Sequence, residues 1–94
     1  MNVYLNNNNE LCFLNDKGEV LLALPYKQVR RIGKLAKGES EETVRIGSNF
    51  FSFENAFFVA EIHNRGEWTT DDTSELVDIL DTLKSLHTEV ADYG

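Results

Sequence analysis

A chain of 94 residues with 41% hydrophobic content predicts one compact domain, residues 1–94, with its own core. Its net charge of −7 argues against direct nucleic-acid binding, which needs an excess of Lys and Arg. A single cysteine, Cys12, excludes a disulfide within the chain. The longest apolar run, residues 20–25, is too short for a membrane span. We therefore expect a soluble cytoplasmic protein.

The first quarter of the chain predicts antiparallel strands joined by tight turns. A short strand over residues 3–5 precedes four consecutive asparagines, which favour a turn. Segments 11–14 and 19–24 flank Asn15-Asp16-Lys17-Gly18, a sequence typical of a hairpin turn. Because both faces of segment 19–24 are apolar, we expect a central strand that is covered on both sides.

Segment 25–37 is compatible with either a helix or a strand. Pro25 suits the start of a helix and Gly38 its end, whereas Gly33 would cost about 1 kcal/mol in a helix interior. A strand over 27–32 followed by a polar loop accounts for the glycines equally well. The apolar residues have helical spacing: Val29, Ile32, Leu35 and Ala36. We adopt the strand because of the resemblance described below.

Residues 43–64 predict three strands and the centre of the core. Segment 43–47 alternates between apolar and polar residues, and residues 49–64 hold five of the six phenylalanines. The second stretch divides into strands 50–53 and 57–62, with an inward set of Phe51, Phe53, Phe58, Ala60 and Ile62. An alternative for its second half is a helix over 56–63, capped by Asn55.

Phe50 and Phe57 are left over by this division. Adjacent residues of a strand point to opposite faces, so these two side chains fall on the face opposite the inward set. Either both faces of the sheet are covered, or Phe50 and Phe57 form a contact surface, which would permit a homo-oligomer.

Residues 65–70 predict a polar loop that contains the only tryptophan. Arg65 and Trp68 are a candidate hot spot for binding, because Trp and Arg contribute strongly to interfaces. The alternative is that Trp68 folds back over the core.

The last element is an amphipathic helix over residues 73–90. Asp72 and Glu75 are spaced as a capping box at its start. One stripe of the helix is apolar: Leu76, Ile79, Leu80, Leu83, Leu86 and Val90. We expect this stripe to pack on a sheet.

Together these elements predict an α+β domain: a strongly bent antiparallel sheet, or partly open barrel, of six to seven strands over residues 2–62, with one C-terminal amphipathic helix. This order resembles the pleckstrin-homology-like fold. Over residues 10–58 the chain also resembles the GRAM and bacterial pleckstrin-homology-like families. The matching residues are Leu24-Pro25-Tyr26, Val29, Ile32 and Lys34, then Val44 and Ile46, then Phe50-Phe51-Ser52-Phe53.

The resemblance implies a non-catalytic module that binds peptides, proteins or, in some members, lipid headgroups. Lipid-binding members need bases in the loop between the first two strands, and residues 6–9 contain none. Phosphoinositide binding is therefore not expected.

Five bases and no acid lie within residues 27–37, and we refer to them as the basic cluster: Lys27, Arg30, Arg31, Lys34 and Lys37. They are candidates for binding phosphates or an acidic partner surface. The alternatives are a solvated face and a contact with the acidic last helix of a second copy.

Acidic residues dominate the end of the chain: Glu67, Asp71, Asp72, Glu75, Asp78, Asp81, Glu89 and Asp92. They could imitate a nucleic-acid backbone, as in small acidic phage-encoded inhibitors that block a host enzyme or DNA-binding protein. The alternative is an acidic helix face that only favours solubility.

No motif for catalysis, metal or cofactor binding accompanies these clusters. His63 and His87 lie on different elements, and neither has a second His or a Cys at ligand spacing. We therefore expect a non-enzymatic protein-binding module without a cofactor, with the acidic inhibitor as the alternative function.

Overall fold

A computed structural model describes residues 2–93 of the chain, and the side chains of residues 2–88. Within these residues the fold is α+β, as predicted, but its strands form two separate antiparallel sheets. The three-stranded sheet has the order β1 (Asn2–Leu5), β2 (Glu10–Leu14) and β3 (Val20–Pro25). The four-stranded sheet has the order β4 (Val44–Ile46), β5 (Asn49–Glu54), β6 (Phe57–Ile62) and β7 (Gly66–Thr70).

The helical elements lie between the sheets in the sequence and at the end of the chain. A continuous helical segment, residues 26–36, consists of α1 (Tyr26–Val29), a 3₁₀ turn (Arg30–Ile32) and α2 (Gly33–Ala36). The last helix is α3 (Ser74–Tyr93). No helix within residues 2–93 is long and apolar enough to cross a membrane.

Both turns of the three-stranded sheet have the same construction. In each, an asparagine, Asn6 or Asn15, accepts the backbone N–H groups two and four residues later with its side-chain oxygen, at 2.9–3.0 Å. Asn9 and Gly18 hold the left-handed position, with φ of 58° and 79°. The hairpin predicted at residues 15–18 is thus confirmed.

The expectation that segment 19–24 is a central strand is wrong. In the described chain β3 lies at an edge of its sheet, next to β2 alone. Leu24 is buried on the core side, whereas Val20 at the start of the strand is exposed. Apolar residues on both faces therefore did not indicate a second neighbouring strand.

The strand predicted at 27–32 is also wrong, because the segment is helical. Its four apolar side chains are all at most 1% exposed: Val29, Ile32, Leu35 and Ala36. Burying a Val, Leu or Ile side chain contributes about 1.5–3 kcal/mol, which outweighs the cost of about 1 kcal/mol for Gly33 in a helix. The helical segment separates β3 from β4, and these two strands do not pair with each other. The expected single bent sheet or barrel is therefore replaced by two sheets.

The four-stranded sheet contains one strand more than its sequence predicted. Residues 66–70, expected to be loop, form β7, which pairs with β6 in the register Ala60 to Trp68. The alternative helix over 56–63 is wrong, because this segment is β6. Asn55 and Ala56 form the turn before it, with φ of 51° and 68°.

The core lies between the two sheets and is closed by the helices. Four aromatic rings form its centre, with centroids 5.0–6.3 Å apart: Phe13, Phe51, Phe58 and Trp68. The inward set predicted for the phenylalanine-rich stretch is confirmed for Phe51, Phe58, Ala60 and Ile62, which are buried, and Phe53 is half-buried.

Helix α3 follows its predicted stripe but begins differently. Leu76, Leu80 and Leu83 are buried, and Val90 lies outside the described side chains. The Oδ1 atom of Asp72 accepts hydrogen bonds from the backbone N–H and the hydroxyl of Ser74, at 3.0 and 2.6 Å. The backbone N–H of Asp72 is donated to the Thr70 hydroxyl and not to Glu75, so the predicted capping box is wrong.

Candidate binding groove along the last helix

The structure divides the basic cluster into two groups. Arg30, Lys34 and Lys37 line a cavity of about 270 Å³ between the helical segment and α3. Lys27 and Arg31 are exposed and lie outside this cavity. Arg30, Lys34 and Lys37 follow one another at intervals of four and three residues, which places them on one side of the segment.

Helix α3 supplies the other wall of the cavity. Lys84 stands there beside Leu80 and Asp81, and the helical segment adds Tyr26 and Gly33. Lys84 was not among the predicted site residues, and its place beside Arg30, Lys34 and Lys37 follows from tertiary packing. Within the described residues, four bases and two acids, Asp81 and Glu39, line the cavity, so its charge is net positive.

One ion pair connects the two walls. The Nζ atom of Lys37 lies 3.7 Å from Oδ1 of Asp81, and both side chains are largely exposed. Exposed pairs contribute only about 0–1 kcal/mol, so this pair leaves the Lys37 side chain free to exchange partners.

Two further cavities lie beside this one along α3. Toward the end of the helix it shares Tyr26 with a cavity lined also by Leu83 and His87, where the Tyr26 and His87 rings lie 5.1 Å apart. Toward the start it shares Lys37 with a cavity that reaches Phe53 and Ser74. Between residues 74 and 87 a helix rises about 20 Å, at about 1.5 Å per residue. We call these three neighbouring cavities the α3 groove.

The second candidate surface is the outer face of the four-stranded sheet. Phe50 and Phe57 are 41% and 45% exposed there, which matches the prediction that they face away from the core. The guanidinium carbon of Arg45 lies 6.0 Å from the centroid of the Phe50 ring. Both phenylalanines therefore remain open to contact.

Trp68 does not form an exposed hot spot with Arg65. Its indole is 1% exposed and donates a hydrogen bond from Nε1 to the backbone oxygen of Leu14 at 3.0 Å. Arg65 lies in the exposed turn before β7. The alternative, that Trp68 covers the core, agrees with its burial, although it does so from a strand.

The acidic residues are dispersed over several surfaces. Glu67 lies on β7, and Asp71 and Asp72 precede α3. Glu75, Asp78 and Asp81 lie on α3, where Asp81 pairs with Lys37. The predicted positions Glu89 and Asp92 lie outside the described side chains. The described acids therefore lie on β7, in the turn before α3 and on α3 itself.

The Cys12 thiol is not part of the α3 groove. Cys12 is buried, and this burial raises the pKa of its thiol, while a hydrogen bond with Tyr4 partly opposes the shift. Among the described residues, no three His, Cys, Asp or Glu side chains are placed to hold a metal ion.

Comparison with known proteins gives no match: no family model, no curated protein and no solved structure corresponds significantly to this chain.

Proposed function

We propose that this protein is a non-enzymatic binding module of the cytoplasm, and that its α3 groove holds an acidic segment of a partner protein. The observation that carries the proposal is the convergence of Arg30, Lys34, Lys37 and Lys84 on one groove from two different elements. A relationship to the pleckstrin-homology-like families is part of the proposal. The antiparallel strands and the terminal helix α3 support it, whereas the helical segment of residues 26–36 interrupts that element order between β3 and β4.

The charge of the groove favours an acidic ligand. The protein as a whole is acidic, with a net charge of −7, yet the middle of the groove is lined by an excess of bases. A basic region on an acidic molecule attracts anionic partners and repels basic ones.

The shape and the apolar lining favour a peptide over a small anion. Tyr26 and Leu86, which are both half-buried, are part of the lining beside the charged side chains. An extended peptide advances about 3.3 Å per residue, so about six residues would span the 20 Å of the groove. Such a peptide would place apolar residues on the lining and carboxylates on the bases.

The test is a titration of the isotope-labelled protein with a synthetic peptide of about eight residues, slightly longer than the groove, in which pairs of Glu alternate with single Leu residues. We expect NMR shift changes at residues 26–37 and along α3, and weaker binding at higher salt. A peptide with Gln in place of Glu should bind far more weakly.

A matched pair of variants separates the groove from general charge. Arg30→Gln with Lys34→Gln should weaken peptide binding about tenfold, because two partly exposed charge contacts together contribute about 1–2 kcal/mol. Arg31→Gln with Lys27→Gln removes the same charge from the same segment outside the groove, and should change the affinity less than twofold. Equal losses for both pairs, or no binding of the acidic peptide, would contradict the proposal.

A further inference from the structure

The outer face of the four-stranded sheet carries a second surface that the α3 groove does not include. Strand register places its side chains in rows across the sheet. One row is Arg45, Phe50, Glu61 and Glu67; the next is Ser52, Val59 and Thr69; the third is Glu54 and Phe57. The phenylalanines thus stand on either side of Val59, on neighbouring strands.

Two aromatic side chains of this surface are open to solvent. Phe50 and Phe57 are 41% and 45% exposed, whereas Val59 between them is 8% exposed. Within residues 2–88, no helix or strand covers the two phenylalanines. Exposed aromatic pairs on a flat sheet face are typical of protein contact surfaces.

The rim of the surface is acidic. Among the described residues it carries Glu54, Glu61 and Glu67 against one base, Arg45. Glu61 and Glu67 are direct cross-strand partners, and like charges in this position repel each other. A base from a partner would relieve this repulsion.

The charges also decide against a second copy of this chain as the occupant. Two copies packed face to face would bring six glutamates and two arginines together, which is unfavourable in a desolvated contact. Since the phenylalanines lie on inner strands of the sheet and not at an edge, strand addition would not reach them either.

We propose that the outer face of the four-stranded sheet packs against an amphipathic basic helix of a partner protein. Phe50 and Phe57 lie two rows apart, at about 6.8 Å per row, and on neighbouring strands about 4.8 Å apart, so their separation is about 14 Å. A helix rises by this distance over nine or ten residues. The apolar stripe of such a helix covers Phe50, Val59 and Phe57, and its Lys or Arg residues meet the three glutamates. This contact is independent of the α3 groove, so the two surfaces allow the protein to join two partners.

The test uses a labelled synthetic helix of Leu and Lys residues with one apolar stripe, measured by fluorescence anisotropy and by NMR of the isotope-labelled protein. We expect shift changes on β5, β6 and β7. Phe50→Ser with Phe57→Ser should lower the affinity at least tenfold. Tyr4→Ser with Val20→Ser, two side chains that are each 42% exposed on the other sheet, should lower it less than twofold.

A second pair of variants keeps the test valid if the phenylalanine variants fold poorly. Glu61→Gln with Glu67→Gln should lower the affinity for the basic helix about fivefold, whereas Glu41→Gln with Glu42→Gln, an equal charge change in an exposed loop, should lower it less than twofold. Shift changes confined to other surfaces, or equal losses for both charge pairs, would overturn the proposal. So would a dimer in sedimentation that Phe50→Ser and Phe57→Ser dissociate, because a second copy would then cover the face.

Discussion

The indole N–H of Trp68 donates a hydrogen bond to the backbone oxygen of Leu14, at 3.0 Å, across a separation of 54 residues in the sequence. Trp68 belongs to the four-stranded sheet and Leu14 to the three-stranded sheet, which share no strand pairing in the described chain. The same ring packs edge-on against Phe13, with centroids 5.0 Å apart. One side chain therefore fixes how the sheets meet, through both a directional bond and apolar contact.

Replacing Trp68 by Phe should destabilise the protein by about 1–3 kcal/mol, because the change leaves the Leu14 carbonyl without its donor and the core with a void. Urea unfolding measures this loss. Phe57→Leu, which alters an exposed aromatic residue, is the control and should change the free energy of unfolding by less than about 0.5 kcal/mol. A similar loss for both variants would mean that the bond between the sheets contributes little.

Asp72→Ala should lower stability at neutral pH and have little effect in acid. The hydrogen bonds from Ser74 hold the pKa of the Asp72 carboxyl below its ordinary value, which is about 3.9. Because the pKa is lowered in the folded state, the ionised Asp72 carboxylate stabilises the fold fully above its ordinary pKa. This stabilisation disappears as the pH falls through the folded pKa. Thermal unfolding of both proteins between pH 7 and pH 2 measures the difference. Asp71→Ala, a change of the neighbouring exposed carboxylate, should not show this pH dependence. If the stability difference between Asp72→Ala and the unaltered protein persists in acid, the ionised Asp72 carboxylate is not its cause.

Ala56→Gly should stabilise the protein by about 0.5–1 kcal/mol. Ala56 lies in the turn between β5 and β6 with φ of 68°, a region in which an L side chain is strained and glycine is not. The reverse change, Gly18→Ala at φ of 79°, should cost a similar amount. Chemical denaturation of both variants provides the measurement. If Ala56→Gly destabilises the protein, the turn does not hold Ala56 in the left-handed region.

The sequence predicted the elements whose signals are local. The hairpin at Asn15 to Gly18 and the last helix depend on turn residues and on a regular apolar stripe, and both are present. Segment 26–36 has an equally regular helical stripe of four apolar side chains, whereas its single glycine and the family resemblance favour a strand. The burial of those side chains decides the structure, and no local signal gives its magnitude.

The features that were missed depend on distant contacts. Residues 66–70 are polar and contain a glycine, so they resemble a loop until Trp68 is seen to pack on Phe13 and bond to Leu14. Three of the four bases of the α3 groove could be grouped from the sequence, because Arg30, Lys34 and Lys37 stand at helical spacing once the segment is known to be a helix. The position of Lys84 depends on how α3 packs, which the sequence alone does not specify.

Gly33 links stability to binding in the α3 groove. Its φ of −57° is that of an ordinary helix, and a Cβ added there would meet no atom within 4 Å. Gly33→Ala should therefore stabilise the protein by about 0.5–1 kcal/mol, since alanine fits the same backbone with less loss of entropy.

Because Gly33 lines the groove, Gly33→Leu should keep most of this stability but project into the space that the acidic peptide occupies. We expect Gly33→Leu to weaken binding of the Glu-Leu peptide about fivefold or more, and Gly33→Ala to weaken it little. Urea unfolding and peptide titration of the same two variants separate the effects. If Gly33→Leu binds the peptide as tightly as the unaltered protein does, the peptide does not lie in the groove, whatever the stability of the variant.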